Sequence, residues 1–364
     1  MFYKVTTSIE FNWRFMQNIT EAKCVVWDLD NTLWNGTLLE SEKVTLKPHI
    51  KDIIVELDAR GILHSIASKN NYDDVMRKLR EFELDQYFLY PEIHWNSKSY
   101  SIGNIQKNLN IGIDTLIFID DQAFERDEVT SVFPQVQAVD AEAYATLPQQ
   151  ARLKPKFITE DSSRRRLMYL EDMKRTLAEM GCKEPKEEFL AGLNMEFIIS
   201  ETREEDLKRA EELTVRTNQL NATGRTYSYD ELQAYMQSDK HKLYVCELSD
   251  VYGSYGKIGL ALVEVNPDNW YLKMLLMSCR VLSRSVGSVL MTYIMQQARR
   301  ENKKLLADFK QTDRNKMMYV TYRFANFKEV SNDGNGNILF ENDLKQIQPF
   351  PPYIKLQYPE FLTC

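Results

Sequence analysis

The sequence has no CxxC pair: its five cysteines, Cys24, Cys182, Cys246, Cys279 and Cys364, are scattered and odd in number. Neither a disulfide framework nor a structural zinc site is expected from such a set. Positive charge is not in excess either. With 46 Lys and Arg against 53 Asp and Glu the formal net charge is -7, which argues against a nonspecific grip on nucleic acid or on an anionic membrane surface. No apolar run is long enough to span a bilayer, and the opening MFYKVTTSIEFNW lacks a basic segment followed by an apolar core. A cytoplasmic protein is the expectation, with no nucleic acid and no membrane among its partners. Internal repeats and low-complexity tracts are absent as well. What remains is an ordinary globular balance over 364 residues, 43% hydrophobic and 27% charged, enough for two domains with cores of their own.

From about residue 23 the pattern alternates between strand and helix: KCVVWD, HIKDIIVELDARG, ILHSIAS, NYDDVMRKLREFEL, YFLYPEIHW, YSIGNIQKNLNIG and TLIFIDD. Alternation of this kind predicts a parallel sheet covered by helices on both faces, and in such sheets ligands gather at the carboxyl ends of the strands. The segment ARLKPKFITEDSSRRRLMYLEDMKRTLAEMGCKEPKEEF breaks the alternation with dense mixed charge at helical spacing. It reads as a helical connector. After it come MEFIIS, a helical REEDLKRAEELTVRTNQ, three strand-like runs (KLYVCELSD, KIGLALVEVN, WYLKMLLMSCRV), helical GSVLMTYIMQQARRENK, strand KLLADFK, helical RNKMMYVTYRFAN and a hairpin around NDGNGN. The expected division is a first domain over 1–145, the connector over 146–190, a second domain over 191–350 and a tail over 351–364.

Strand ends in the first domain place Asp28 and Asp30 after CVVW, Ser68 and Lys69 after ILHSIA, and Asp120 with Asp121 after TLIFI, while Lys98 sits in the loop NSKSY. Four carboxylates at one sheet edge raise one another's pKa and oppose folding unless a counterion joins them. A hard divalent cation, Mg2+, bound through one or two carboxylates plus water and a phosphate oxygen, relieves that repulsion. The chemistry that fits is phosphoryl transfer, with one aspartate attacking phosphorus, the second managing the proton, and the hydroxyl and lysine holding phosphate oxygens.

DLDNT followed by Ser68, Lys98 and the DD pair resembles the four ordered motifs of haloacid-dehalogenase (HAD) superfamily phosphatases. The resemblance implies Asp28 as nucleophile, Asp30 as general acid/base, Ser68 and Lys69 as phosphate binders with Lys98 neutralising charge, and Asp28, Asp30, Asp120 and Asp121 around the metal. The fold class implied is α/β, a Rossmann-like parallel sheet with a small cap or none. Only a short segment with Trp34 and Gly36 follows the first motif, so the site should be open, or covered by a hairpin flap or by the second domain.

The second domain's order of elements resembles the GNAT acyltransferase fold, which holds a pyrophosphate on backbone amides at a helix start. The corresponding piece here is RVLSRSVGSVL, with Arg284 and Gly287 in place and Ser285 where a glycine is usual, which argues against ordinary acyl-CoA binding. RTNQLNATGRTYS (216–228) and LMSCRVLSR, taken with the phosphatase motifs, resemble the FkbH-like family. That resemblance implies a glyceryl transferase/phosphatase: it takes 1,3-bisphosphoglycerate, removes phosphate, and delivers a three-carbon unit to the phosphopantetheine thiol of an acyl carrier protein. Cys279 becomes the candidate for a transient thioester, since a nearby arginine or helix start lowers a thiol's pKa. Arg216, Asn218, Asn221, Thr223, Arg280, Arg284 and Gly287 are the candidate acyl and carrier site. Cys246, central in LYVCEL, alternates as a core position, and His241 has no spacing that marks it as a base. Carrier docking needs a local basic patch, which 162–166 or 298–304 could supply. The rival reading is a phosphatase for another small ester, with a second domain that uses acyl-CoA or acts as a lid.

Overall fold

The computed structural model describes residues 20–41, 43–182, 186–284 and 286–359, and the chain divides into two compact units, Met1–Leu170 and Glu171–Cys364. The division falls inside one long helix, Arg165–Gly181. The expected connector is therefore shared between the units. Its first part packs on the first unit, where the Arg152 carbonyl accepts from the Ala22 amide at 2.8 Å and Leu153 is fully buried.

In the first unit, β1 (Cys24–Trp27), β4 (Leu63–Ser68) and β6 (Leu116–Asp120) are buried along their whole length, as parallel strands covered on both faces are. With β5 (Glu92–Ile93) and β7 (Gln137–Asp140) they form a parallel sheet in the order β5-β4-β1-β6-β7. The chain steps outward from β1 through β4 to β5, then returns to lay β6 on β1's other side. That reversal is a topological switch point, the usual place for a ligand crevice. Register sets the height of everything at this edge. Trp27, the last residue of β1, lies opposite both Ile66 and Ile119, so Asp28 and Asp120 emerge at one level and Ser68 one residue beyond it. The helices α1 (Ile50–Ala59), α2 (Tyr72–Glu81), α3 (Lys98–Leu109) and α4 (Ala123–Val132) connect the strands. Between β1 and α1, β2 (Trp34–Asn35) and β3 (Thr45–Leu46) pair as a two-residue antiparallel ribbon, the small hairpin expected in place of a cap.

The second unit holds an eight-stranded sheet in the order β13-β14-β12-β11-β10-β9-β8-β15. β8 (Met195–Glu201), β9 (His241–Asp250), β10 (Gly253–Val265) and β11 (Asn269–Met277) are antiparallel neighbours. β12 (Lys304–Lys310) runs parallel to β11, but only over Asn269–Leu272 and Lys304–Ala307; beyond these the two strands part as a wedge. β13 (Lys328–Asn332) and β14 (Asn337–Asn342) are the final hairpin. Alternation on β9 sends Leu243 and Val245 to one face and Tyr244, Cys246 and Leu248 to the other. The first face is covered by α5 (Leu207–Arg216) and α6 (Tyr229–Met236), the second by α7 (Val289–Arg300) and α8 (Lys316–Phe324). Part of the expected tail is not a tail: β15 (Ile354–Gln357) pairs in parallel with β8 along its outer edge.

Candidate active site

At the carboxyl edge of the first sheet, Asp28 continues the β1 ladder, its amide donating to the Ile119 carbonyl at 2.9 Å. Lys98 reaches it from the first turn of α3, not from a loop, because Ser97 caps that helix by accepting from the Tyr100 amide. Lys98 is 3% exposed. Its ammonium bonds to Asp28 Oδ1, donates to the Ala67 carbonyl at 2.7 Å and lies 3.0 Å from Asp120 Oδ2. Burial alone would depress the lysine's pKa, but Asp28 and then Asp120 outweigh it and hold the pKa above its ordinary value, so the cation is fixed at the centre of the site.

Asp28, Asp120 and Asp121 each offer a carboxylate oxygen, all within 4.8 Å of one another. Burial, then repulsion from Asp28, pushes Asp120 up to about 6 against the pull of Lys98, and the same two causes raise Asp121. Asp121 Oδ1 is buried without a hydrogen-bond donor, and Asp120 Oδ2 faces Lys98 without hydrogen-bond geometry. Three crowded carboxylates against one lysine, with two buried oxygens short of donors, are a donor set that fits a hard divalent cation.

Asp30 is not in that group, and its expected place among the metal-binding carboxylates is corrected. Asn31 adopts a left-handed conformation, φ +55°, and the chain turns back so that both Asp30 oxygens are engaged elsewhere. Oδ1 accepts from Trp34 Nε1 at 2.8 Å and the Leu38 amide at 3.0 Å; Oδ2 accepts from Asn70 Nδ2 at 3.0 Å. Burial raises the Asp30 pKa against the hydrogen bonds from Leu38 and Trp34, with Asp28 adding to the rise. A half-buried carboxyl with a raised pKa, set apart from the aspartates that face Lys98, is the difference of environment that separate acid and nucleophile roles call for.

Ser68 ends β4 and is buried at the same edge. Lys69 is turned aside: its ammonium pairs with Glu125 of α4 at 2.5 Å, so the expected phosphate contact is replaced by an ion pair. Three positioning residues went unassigned in the sequence. Asn70 and Trp34 orient Asp30, and the fully buried Thr32 accepts from the Asp121 amide at 3.1 Å through Oγ1. Thr32 and Asn70 follow β1 and β4 closely, which was the available signal.

The residues expected at an acyl or carrier site do not converge. Arg284 is 1% exposed and serves as a structural tie, donating to Tyr255 Oη, Glu179 Oε2 and Asp172 Oδ1, each at 3.1 Å. That arrangement contradicts its expected anion-binding role; Ser285 beside it lies outside the described residues, as does Cys364. Gly287 lines a methionine-rich groove of about 310 Å³ with Met277, Met291 and Phe324. Thr223 lines a different cavity, Asn218 is exposed, and Arg216 lies 4.0 Å from Glu212 on its own helix. Asn221 is fully buried and shapes a turn. Cys279 is half-buried at the start of the 3-10 turn Cys279–Arg284, and Arg280 donates to the Tyr255 carbonyl at 3.0 Å. Burial pushes the Cys246 thiol far up, as its core position predicts. His241 Nδ1 lies 2.8 Å from Ser238 Oγ. The 162–166 patch is spent on the first unit: Arg165 donates to the Gly61 carbonyl and Arg166 pairs with Asp58. Arg299 and Arg300 of the other patch are exposed.

The chain is thus an α/β protein of two units, a parallel sheet with an acidic site at its carboxyl edge followed by a mixed eight-stranded sheet with helices on both faces. No family model matches the chain. It is 28% identical to human magnesium-dependent phosphatase 1 over 119 residues, which is 28% of this chain and 68% of that protein. A crystal structure of the N-terminal part of the protein BF1531 from Bacteroides fragilis, containing a phosphatase domain complexed with Mg, is 28% identical with a TM-score of 0.29. The overlay covers 34% of this chain and 38% of that one. The ribosomal-protein-S18-alanine N-acetyltransferase from Escherichia coli is 13% identical with a TM-score of 0.32, over 40% of this chain and 90% of that one. An N-acetyltransferase from Staphylococcus aureus Mu50 is 17% identical with a TM-score of 0.32, over 41% and 99%. Among the described residues no helix is long and apolar enough to cross a membrane.

Proposed function

We propose that the chain is a Mg2+-dependent HAD-type phosphatase joined to an acyl-transfer domain, acting in the cytoplasm. The observation that supports this most directly is the buried Lys98 between Asp28 and Asp120, with Asp30 held apart by Trp34, Leu38 and Asn70. Asp28, Asp120 and Asp121 would hold Mg2+, which supplies charge neutralisation for the incoming phosphate. Lys98 pairs with Asp28 and orients it. An Asp28 oxygen attacks phosphorus, the bond from phosphorus to the ester oxygen breaks, and Asp30 gives its proton to that leaving oxygen. Asp30 then takes a proton from water, whose oxygen attacks phosphorus and frees Asp28 with release of phosphate.

The finer reading is the loading of a glyceryl unit from 1,3-bisphosphoglycerate onto the phosphopantetheine thiol of an acyl carrier protein, through Cys279. An acyl phosphate is already activated, so a thiolate displaces its phosphate without ATP; the second phosphate is a monoester and needs the aspartate site. With 162–166 spent on the first unit, 298–304 is the patch left for carrier docking. The dispersal of the expected acyl residues favours one rival, a phosphatase of another small ester whose second domain acts as a lid or uses acyl-CoA.

The test is to incubate the chain with Mg2+, 1,3-bisphosphoglycerate generated in place and a phosphopantetheinylated carrier protein, and to read both proteins by intact mass spectrometry. A glyceryl adduct on the carrier is expected, retained as phosphoglyceryl with Asp28→Asn and absent with Cys279→Ala. Phosphate release with no adduct on either protein would leave the rival.

A further inference from the structure

The carboxyl edge of the first sheet holds a cation that the site described above does not use. Lys47 follows directly on β3, whose Leu46 lies opposite Trp34 of β2. Its amide donates to the Leu33 carbonyl at 3.1 Å, and the neighbouring Thr32 accepts from the Asp121 amide through Oγ1, also at 3.1 Å. The adjacent residues Thr32 and Leu33 thus tie Asp121 and Lys47 to one turn. The lysine's charge is felt across it. Burial and then Asp28 raise the Asp121 carboxyl, and Lys98 and Lys47 are among the groups that oppose the rise.

Lys47 is held in place by the protein. Tyr144, in the 3-10 segment Ala141–Gln149 that follows β7, donates through its hydroxyl to the Pro48 carbonyl at 2.9 Å. The same residue sets its ring 5.4 Å from the Lys47 ammonium, within cation–π range. The other cations of this edge are engaged by oxygen. Lys98 meets Asp28, Asp120 and the Ala67 carbonyl, and Lys69 pairs with Glu125. Arg126 donates to the Asp120 carbonyl at 2.7 Å and to Asp140 Oδ2 at 2.6 Å. Of these four, Lys47 is the one whose ammonium has no oxygen acceptor among the described residues; its contact is the Tyr144 ring. It is also half-buried. An ammonium carries three donors, and drawing it out of water without acceptors is costly, so all three are left for a ligand.

We propose that Lys47 is a specificity-determining residue of the phosphatase site, selecting phosphate monoesters whose alcohol part carries a carboxylate. The phosphate end is taken up beside Asp28 and Lys98, and the Lys47 ammonium meets a second negative charge farther along the same molecule. A lysine is a single compact charge, so it balances one carboxylate better than a doubly charged second phosphate. The proposal deepens the phosphatase half of the reading above and rests on it for the phosphate end of the ligand. It asks nothing of the second unit.

The full chain with Mg2+ is titrated calorimetrically with phosphonates, which have no ester bond to break, bearing a carboxylate two or three methylene groups from phosphorus. The matching alcohols are the controls. Wild type should bind a carboxylated compound roughly tenfold more tightly than its alcohol, the gain from one charge-assisted contact. Lys47→Met, which keeps an apolar stem over Tyr144, should erase that preference with an unchanged melting curve, and Lys47→Arg should retain it. Equal binding of acid and alcohol by wild type at both spacings, or a preference that survives Lys47→Met, would overturn the assignment. Mg2+-dependent phosphate release from phenyl phosphate, compared between wild type and Asp28→Asn, tests the phosphatase reading by itself. Release without a carboxylate preference removes the role of Lys47 alone. A preference that depends on Lys47 in a chain that releases no phosphate removes the phosphatase reading and leaves Lys47 as the carboxylate-binding residue.

Discussion

Asp120→Asn should stabilise the metal-free chain at neutral pH, although it removes a partner of Lys98. The gap between the ordinary 3.8 of Asp120 and its folded value of about 6, at about 1.4 kcal/mol per pH unit, makes ionising it in the metal-free fold cost about 3 kcal/mol. The sign follows from the direction of the shift. A carboxyl whose folded pKa lies above its unfolded value loses stability as pH rises through that window, so the cost is absent below about pH 4 and complete above about pH 6. A second group titrates nearby. Burial pushes His64 down to about 3, and it stays neutral in the core, Nδ1 accepting from Trp27 and Nε2 facing the Ile54 carbonyl. The unfolded chain takes up that proton as pH falls below 6.5, which opposes the Asp120 trend. Comparing wild type with Asp120→Asn at each pH cancels the histidine. The assay is denaturant unfolding read by tryptophan fluorescence, from pH 4 to 8, in chelator and in saturating Mg2+. In chelator the variant should exceed wild type by about 3 kcal/mol at pH 7.5 and match it near pH 4; Mg2+ should stabilise wild type more than the variant. A variant no more stable than wild type at pH 7.5 in chelator would refute the electrostatic account of the site.

Asn70→Ala removes the donor to Asp30 Oδ2 and, if Asp30 is the acid as proposed, should lower kcat for phosphate release about tenfold or more with little change in KM. Arg284→Met strips the partner from Asp172, Glu179 and Tyr255. It should destabilise the second unit by about 3 kcal/mol, seen as a lower Tm; an unchanged Tm with lost acyl transfer would restore the anion-binding role. Gly259→Ala places a Cβ 2.3 Å from Met277 Sδ and 2.7 Å from Cys246 Sγ, with the Leu276 carbonyl at 3.1 Å. Overpacking of this kind should cost about 1–3 kcal/mol in thermal or denaturant unfolding.

The candidate site at the carboxyl edge of the first sheet was legible because its signal is local: an apolar run of strand length, then a polar residue where the strand ends. That pattern found Asp28, Ser68, Asp120 and Asp121 before any contact was known, and the ordered motifs added Lys98. It could not say that Asp30 turns toward Asn70, because that depends on a left-handed Asn31, nor that Lys69 meets Glu125, which lies on a helix two strands later. The strand and helix order of the second unit was legible by the same periodicities. Arg284 was misread because an arginine before a helix start looks alike whether it faces solvent or core. Its partners Asp172 and Glu179 sit in the segment that sequence composition marked only as a charged connector.

The pairing of β15 with β8 has a consequence for how the chain is made. β8 gains β9 soon after it is made, but its other edge, in the stretch MEFIISE, waits for β15, with the whole of β9 to β14 translated in between. Throughout that interval it presents a row of unpaired backbone groups, the kind of edge that recruits strands from other chains. A stop codon just before Ile354 would leave the edge permanently open. Such a truncated chain would be expected to fold most of its sheet and then accumulate in inclusion bodies, so the strand completed last guards the strand made first.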